Sequence, residues 1–322
     1  MRLVNVSDIH IAAERIGGAV LRTPLVPCAW SDPDRPLWLK PESLQAIGAF
    51  KVRGAHNALA ALSRAQREKG VVAYSSGNHA QAVAYAARAE NIQATIVIDD
   101  TAPELKITAT RELGAEVVLV PLDQRAQVAA GLVAERGATL IPPFDHPDVI
   151  AGQGTIGLEI AEDLPDVRVV LVPVSGGGLA AGIGVAIKAL CPGAAVYGVE
   201  PELAGDTAAS FAAGEQVHWP AADRIRTIAD GLRAEPSELT YAHLTATLDG
   251  VLTVSEREIR AAVALLARKA KLVAEPAGAV ATAAYLFRAS QLPRGSAVAV
   301  ISGGNIDPGL LGDILSGEPT AG

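Results

Sequence analysis

One lysine of the chain stands where its amine could act as a nucleophile. Lys51 follows the tripeptide Gly48-Ala49-Phe50 and opens a predicted helix. The positive end of a helix dipole and the apolar neighbours Phe50 and Val52 lower the pKa of an amine and make it more nucleophilic. The alternative is an ordinary solvated lysine in a charged segment, and this motif alone does not separate the two.

Hydroxyl and amide side chains crowd the junction between a predicted strand and the next helix. The strand ends near Tyr74 and is followed by Ser75-Ser76-Gly77-Asn78. Serine or asparagine before a helix ordinarily caps its free N–H groups. Two hydroxyls, a glycine and an amide exceed what one cap needs, which favours a ligand site. His79 is more typical of a satisfied helix-start residue than of a catalyst.

A glycine-rich turn forms a third candidate site. Residues 171–184 read LVPVSGGGLAAGIG, which predicts a strand, a turn and a helix. Bare backbone N–H groups that converge with a helix N-terminus bind anions. The pattern Gly176-x-Gly178-x-x-Ala181, with Glu200 at the end of the next strand, also fits a dinucleotide fingerprint. The turn therefore predicts an anion site whose ligand stays open, with an NAD-binding unit as one serious alternative.

A fourth loop, residues 302–308, follows a buried apolar strand. Ser302 stands at its start, and two glycines and Asn305 come next. Such a segment also fits a plain turn. Its hydroxyl nevertheless projects toward the crevice that we expect the other loops to share.

The elements that position these loops alternate along the chain between β-branched strands and Ala-rich helices. The predicted strands are residues 71–74, 94–98, 116–120, 169–174, 196–199 and 297–301, and the predicted helices include residues 79–89, 103–113 and 124–136. Continuous apolar strands separated by helices indicate the α/β class, with parallel sheets covered on both faces. Ligands of such proteins bind at the carboxyl ends of the strands, where all four loops stand.

Two polar or proline-rich segments are candidate domain crossings, residues 63–70 and 141–147. If both cross, residues 65–145 form a small inserted domain. A large domain then combines residues 1–60 with residues 146–322.

Composition and charge exclude several classes of protein. The 322 residues carry 27 Lys and Arg against 35 Asp and Glu, a net charge of −8, so we expect no nucleic-acid partner. Cys28 and Cys191 lack metal-site spacing, and the N-terminus lacks a signal peptide, which predicts a reduced cytoplasmic protein. The uncharged stretch 169–187 is interrupted by Pro173 and the glycine turn, so we expect no membrane span.

Taken together, the loops resemble the fold type II (β-family) pyridoxal-phosphate enzymes, and more narrowly the serine/threonine dehydratase and serine racemase group. The motifs occur in the family's order over nearly the whole chain, as RTPL at 22–25, GAFKVRGA at 48–55, SSGNHAQ at 75–81, AGQGT at 151–155, SGGGL at 175–179, IADGLR at 228–233, EPAGA at 275–279 and SGGN at 302–305. This ordered set outranks the NAD interpretation. It implies two doubly wound, mostly parallel-sheet domains, similar to the tryptophan synthase β fold, with pyridoxal 5'-phosphate in the cleft between them.

The resemblance also assigns roles to residues of this chain. Lys51 forms the internal Schiff base, Phe50 packs against the cofactor and Asn78 bonds its 3-hydroxyl. Ser302 faces the pyridine nitrogen. The remaining cofactor-binding residues are Ser175, Gly176, Gly177, Gly178 and Leu179, which hold the phosphate, and Gly231.

Three positions refine what the resemblance implies. Ser175 replaces the first of the family's four glycines, which a cradle of main-chain donors tolerates, and Ala49 replaces a serine and removes one hydroxyl. Ser302 is too weak an acid to keep the pyridine nitrogen protonated and offers only a neutral hydrogen bond. The cofactor is then a weaker electron sink, which favours β-elimination over transamination.

The resemblance implies that most substrate-binding residues lie in the loop after the predicted strand 71–74. The substrate carboxylate binds at the start of the helix, on Ser75, Ser76, Gly77, Asn78 and His79. Lys51 is the base, and in racemase-like members the hydroxyl matching Ser76 returns a proton on the opposite face. Arg125 stands where such members place an arginine near the substrate, which favours a second carboxylate, although an exposed helix arginine is an equal alternative.

A cation site is a further implication of the resemblance. Glu200, Ala204 and Asp206 match the spacing at which racemase-like members bind a divalent cation through two carboxylates and one carbonyl. Oxygen ligands suit Mg²⁺, Mn²⁺ or Ca²⁺. The alternatives are a solvated acidic loop or, in the NAD interpretation, a ribose contact from Glu200.

We therefore expect a pyridoxal-phosphate dependent ammonia-lyase that converts a β-hydroxy amino acid of the L-threonine or L-serine type to a 2-oxo acid and ammonia. Serine racemase and threo-3-hydroxyaspartate dehydratase are alternatives within the family. An NAD-dependent oxidoreductase and a catalytically silent binding protein are alternatives of other classes. We expect a homodimer and, because the chain ends soon after Pro308, no feedback inhibition by isoleucine.

Overall fold

The computed structural model describes residues 2–317. Its strands are β1 (Val26–Pro27), β2 (Leu37–Pro41), β3 (Val71–Tyr74), β4 (Ala94–Asp99), β5 (Glu116–Val120), β6 (Thr139–Leu140), β7 (Val169–Pro173), β8 (Ala195–Pro201), β9 (Gly250–Val254) and β10 (Ala297–Ile301). Its helices are α1 (Val6–Ile16), α2 (Lys51–Ala60), α3 (Arg64–Lys69), α4 (Asn78–Ala89), α5 (Glu104–Glu112), α6 (Arg125–Arg136), α7 (Pro147–Asp163), α8 (Gly178–Leu190), α9 (Asp206–Ala213), α10 (Ala221–Arg224), α11 (Glu238–Thr247), α12 (Glu256–Leu265), α13 (Pro276–Phe287) and α14 (Pro308–Ser316).

The strands form two sheets, one for each domain of an α/β architecture. The first has six strands in the order β1-β2-β10-β7-β8-β9, and the second has four in the order β5-β4-β3-β6. Only the β1–β2 pair is antiparallel among the strand pairs of the described chain. This confirms the predicted fold class.

The two central strands of the large sheet, β10 and β7, are apolar at every position, and both of their faces are covered. In β10, Ala297, Ala299 and Ile301 pack into one core cluster, whereas Val298 and Val300 pack into the other. Side chains alternate between the faces of a strand, so a continuous apolar run predicts burial on both sides. The carboxyl ends of these strands are thus left as the edge where polar loops can gather.

A buried ionic cluster fixes α2 against α7. The Arg53 guanidinium donates from Nε to Glu42 at 2.7 Å and from Nη1 to Glu159 at 2.6 Å, and Lys40 Nζ bonds Glu159 at 2.5 Å. Arg53, Lys40 and Glu42 are fully buried. A Cβ on Gly152 of α7 would lie only 2.7 Å from the Arg53 carbonyl oxygen, so the two helices require a glycine at their contact. The start of α2 is therefore held rigidly.

The structure adds elements that the sequence patterns did not predict. All six predicted strands are present, but β1, β2, β6 and β9 were not predicted. The polar segment expected to cross between domains contains α3, which begins with a capping box between Ser63 and Gln66. The proposed domain limits stay a prediction. Within residues 2–317, no helix combines the length and the apolar character needed to span a bilayer.

Candidate active site

Lys51 is the first residue of α2, and its amine lies in an apolar environment. Nζ donates a hydrogen bond to the Pro143 carbonyl oxygen at 2.6 Å and lies 5.1 Å from the centre of the Phe50 ring. Burial lowers the pKa of Lys51 from 10.5 to about 8. Among the described residues, no carboxylate forms a salt bridge with Lys51 that would stabilise its protonated amine. An amine in this state is partly neutral near pH 8 and can act as a nucleophile or a base.

The start of α2 is tied directly to the loop after β10. The backbone N–H of Phe50 donates to the Ser302 carbonyl oxygen at 3.0 Å, and Ala49 pairs with Gly303 in an isolated bridge. Ser302 is 4% exposed, and its Oγ lies 3.5 Å from the Ala277 carbonyl oxygen. The packing therefore brings two of the four predicted loops together.

The loop after β3 brings Ser76 and Arg125 together with a third residue, Asp99. Ser76 Oγ donates to Asp99 Oδ2, and Arg125 Nη1 donates to Ser76 Oγ at 2.9 Å. The Ser75 hydroxyl turns back and accepts the Gly77 N–H at 3.3 Å. Asp99 was not predicted as a site residue. Its only signal in the sequence was its place at the end of a predicted strand.

The ring of His79 is committed to a structural contact. It is buried, and its Nε2 lies 2.9 Å from the Ile141 carbonyl oxygen. Burial and the positive charge of Lys51 lower the pKa of His79 to about 3, so the ring stays neutral. His79 can thus serve a substrate only through its backbone N–H at the start of α4.

Both ends of the Asn78 side-chain amide are bonded to residues from the C-terminal part of the chain. Its Nδ2 donates to Glu275 Oε1 at 2.8 Å, and its Oδ1 accepts from Asn305 Nδ2 at 2.7 Å. Burial raises the pKa of Glu275 to about 7. Glu275 belongs to the recognised EPAGA motif, yet sequence reasoning did not single it out. The carboxyl group orients the Asn78 amide, so Glu275 supports the site indirectly.

The glycine turn has the features of an anion cradle. Gly177 adopts a left-handed φ of 85°, and α8 begins at Gly178 without any side-chain cap. The Ser175 hydroxyl is occupied by the Ala234 backbone, accepting from its N–H at 3.0 Å. A Cβ on Gly176 would lie 2.2 Å from Phe144 Cδ1. The uncapped N–H groups and the close packing fit a bound phosphate, and only glycine fits the turn.

Gly231 and Leu179 are the remaining residues predicted to bind the cofactor. Gly231 lies in a short turn against Ala277, whose Cβ would be 3.1 Å from a Cβ on Gly231. Since Ala277 also contacts Ser302, the 228–233 loop borders the same region. Leu179 is buried within α8.

Glu200 and Asp206 are two buried carboxylates beside the start of α9. Glu200 accepts the backbone N–H groups of Thr207 at 3.3 Å and Ala208 at 2.9 Å. Burial raises the pKa of Glu200 to about 8, aided by the charge of Asp206, and burial raises that of Asp206 to about 6. Two backbone N–H groups of this helix thus account for the Glu200 carboxylate without a ribose. Ala204, which lies between Glu200 and Asp206 in the sequence, is also buried.

Comparisons with known proteins agree with this geometry. The family model described as "Pyridoxal-phosphate dependent enzyme" matches residues 16–303. The L-threonine ammonia-lyase of Thermotoga maritima is 44% identical, covering 98% of this chain and 79% of the relative. The L-threo-3-hydroxyaspartate ammonia-lyase of Saccharomyces cerevisiae is 40% identical, with 97% of this chain and 96% of the relative covered. The solved structure of maize serine racemase superposes with a TM-score of 0.92 at 36% identity, covering 97% of each chain.

Proposed function

Since the chain belongs to the pyridoxal-phosphate dependent enzymes of fold type II and is an ammonia-lyase that uses pyridoxal 5'-phosphate, we propose a substrate for it. The proposed substrate is a β-hydroxy amino acid of the L-threonine or L-serine type. α,β-Elimination removes water and leaves an enamine, and tautomerisation to the imine followed by hydrolysis gives a 2-oxo acid and ammonia. The observation that carries the proposal is the Lys51 amine, whose pKa burial lowers to about 8 and which bonds the carbonyl oxygen of Pro143. The next residue, Phe144, packs against Gly176 and Gly178 of the glycine turn.

The residues present fit the cofactor. The uncapped start of α8 would hold its phosphate through residues 175–179. Asn78 and Ser302 would contact the 3-hydroxyl and the pyridine nitrogen, and Lys51 would hold the aldehyde carbon. When bound, the cofactor withdraws electrons from the α-carbon of an attached amino acid.

Lys51 is proposed to be the base that removes the α-proton. A pKa of about 8 leaves a useful fraction of neutral amine at neutral pH. The amine is held by the Pro143 carbonyl oxygen, which orients its lone pair without providing a counter-charge. The same nitrogen can then carry the proton while the β-hydroxyl group leaves.

The substrate carboxylate is proposed to bind at the start of α4. The helix begins at Asn78 and has no side-chain cap. Its first N–H groups therefore favour an anion, and the positive end of the helix dipole adds to this preference. Ser75, Ser76, Gly77 and the backbone of His79 would line this position.

Ser302 supports elimination as the reaction. In the described structure its Oγ contacts a neutral carbonyl oxygen at 3.5 Å and no carboxylate. A neutral hydroxyl is too weak an acid to keep the pyridine nitrogen protonated. The ring would then withdraw electrons less strongly and stabilise negative charge at the α-carbon less well. Prompt departure of the β-hydroxyl group is then favoured over transamination.

We also propose a divalent cation at Glu200, Ala204 and Asp206. Glu200 and Asp206 are both buried, and their negative charges repel each other when both are ionised. A bound cation would offset this repulsion. Oxygen ligands suit Mg²⁺, Mn²⁺ or Ca²⁺. The group lies on β8 and α9, outside the cofactor loops, so its role would be structural.

The substitution Lys51→Ala tests the proposed function. We expect ammonia release from L-threonine and L-serine to fall by about 10³-fold, because both the anchor of the cofactor and the base are lost. Ammonia is measured by a coupled assay, and cofactor content by absorbance. Lys269→Ala, at an exposed lysine of the large domain, is the matched control and should keep wild-type activity. Turnover that survives in Lys51→Ala would refute the proposed role of the lysine.

A further inference from the structure

Two opposite charges converge on the Ser76 hydroxyl at the carboxyl edge of the small sheet. Asp99 ends β4 and accepts the Ser76 proton on Oδ2, while Arg125 begins α6 and donates to Ser76 Oγ at 2.9 Å. Arg125 Nη1 is also 3.4 Å from Asp99 Oδ2. The three side chains form a closed triangle in which each contacts the other two.

The Asp99 carboxylate is held in its charged form. Burial raises its pKa, but the hydroxyls of Ser76 and Thr101 and the charge of Arg125 together lower the pKa below the usual 3.8. Thr101 Oγ1 donates to the other carboxylate oxygen at 2.7 Å. The Asp99 side chain is 9% exposed and that of Arg125 26%. The positive charge of Arg125 is thus cancelled within the protein.

This triangle borders the position assigned to the substrate. Ser76 belongs to the loop that precedes α4, where the proposed function places the substrate carboxylate. Since both charges contact the Ser76 hydroxyl, any substrate atom that touches Ser76 lies beside both of them. The α-carboxylate is common to both substrate classes and is held mainly by the N–H groups at the start of α4, so it does not distinguish between them. A second substrate carboxylate near Ser76 would gain no unpaired cation and would be repelled by Asp99.

We propose that Asp99 determines the substrate class by cancelling Arg125, so that the site favours β-hydroxy amino acids with an uncharged side chain over those with a second carboxylate, such as 3-hydroxyaspartate. The inference rests on the proposed function of this site. It replaces the expectation that Arg125 attracts a second carboxylate, because that expectation requires an unpaired guanidinium.

The test compares kcat/KM for ammonia release from L-threonine and from L-threo-3-hydroxyaspartate. The wild type should favour L-threonine. Asp99→Asn keeps an oxygen that accepts the Ser76 hydroxyl but removes the charge, and it should raise the ratio of hydroxyaspartate to threonine by about tenfold or more. Arg125→Gln should lower the same ratio by about tenfold or more. Asp100→Asn, at the exposed neighbouring aspartate, should leave it unchanged.

Two outcomes would overturn the inference: a wild type that prefers hydroxyaspartate, or a ratio that Asp99→Asn leaves within twofold of the wild type. A purely structural role for Asp99 predicts the second outcome, since misfolding lowers both activities alike. Dissociation constants for the two amino acids, from the change in absorbance of the bound cofactor, are measured in parallel. If the wild type releases no ammonia from any hydroxy amino acid, the proposed function fails, while the ratio of dissociation constants still decides the inference.

Discussion

At the scale of single residues, the chemistry depends on how much water each polar group loses. Lys51 and His79 both lose solvation, and both pKa values fall, to about 8 and about 3. The lysine thereby gains a reactive neutral form near physiological pH, whereas the histidine is fixed as a neutral structural residue. Residue type alone therefore did not decide which of the two carries chemistry.

The lowered pKa of Lys51 predicts a pH dependence for loading the cofactor. Only the neutral amine attacks an aldehyde, so the rate at which apoenzyme takes up pyridoxal 5'-phosphate should rise as the pH increases and level off above about 8. Stopped-flow absorbance between pH 6 and pH 10 measures this rate. A rate that continues to rise to about pH 10 would indicate an ordinary solvated lysine.

At the scale of elements, three residues of the candidate site are each the first residue of a helix. Lys51 begins α2, Asn78 begins α4 and Gly178 begins α8, and none of these three helices has a side-chain cap. In α2 the Gly54 N–H is bonded by the Gln153 side chain, whereas the first N–H groups of α4 and α8 have no side-chain cap and suit a ligand. The same local arrangement serves a carboxylate at α4 and a phosphate at α8.

Gly176 tests whether the turn before α8 must be made of glycine. In Gly176→Ala the new methyl group would meet the Phe144 ring at 2.2 Å, so the ring or the turn must move. We expect cofactor affinity to fall by about tenfold or more, measured by equilibrium titration of apoenzyme.

The matched control is Gly131→Ala, within α6, where a Cβ meets no atom within 4 Å. This substitution should leave cofactor affinity unchanged and stabilise the protein by about 0.5–1 kcal/mol, because alanine favours helix. Equal cofactor affinities in the two variants would show that the packing of the turn against Phe144 does not shape the phosphate site.

At the scale of the whole molecule, the site depends on contacts between distant segments of the chain. Asn78 of α4 meets Glu275, which precedes α13, and Lys106 of α5 pairs with Asp230 at 3.0 Å. The buried Arg53 cluster joins the N-terminal strand β2 to α2 and α7. These contacts set the distance between the lysine and the loops that it serves.

Arg53→Met tests how far the buried cluster holds the molecule together. The substitution leaves Glu42 and Glu159 without their main cation, and we expect it to destabilise the protein by about 3–5 kcal/mol in denaturant unfolding. Arg64→Met breaks an exposed pair with Glu68 instead and should cost less than about 1 kcal/mol. Similar losses in the two variants would contradict the role assigned to burial.

The order of the amino acids was enough to establish the α/β class, the family and the cofactor, and to single out the loop that carries Lys51. Those properties follow from local patterns, such as strand periodicity and motif order, which do not depend on distant contacts. Only the packed structure places Arg125 against Asp99, brings Glu275 to the Asn78 amide and binds the His79 ring to a backbone carbonyl. Hydrogen bonds between residues far apart in sequence, and the burial that shifts their pKa values, arise only when separate segments pack together, so no local pattern records them.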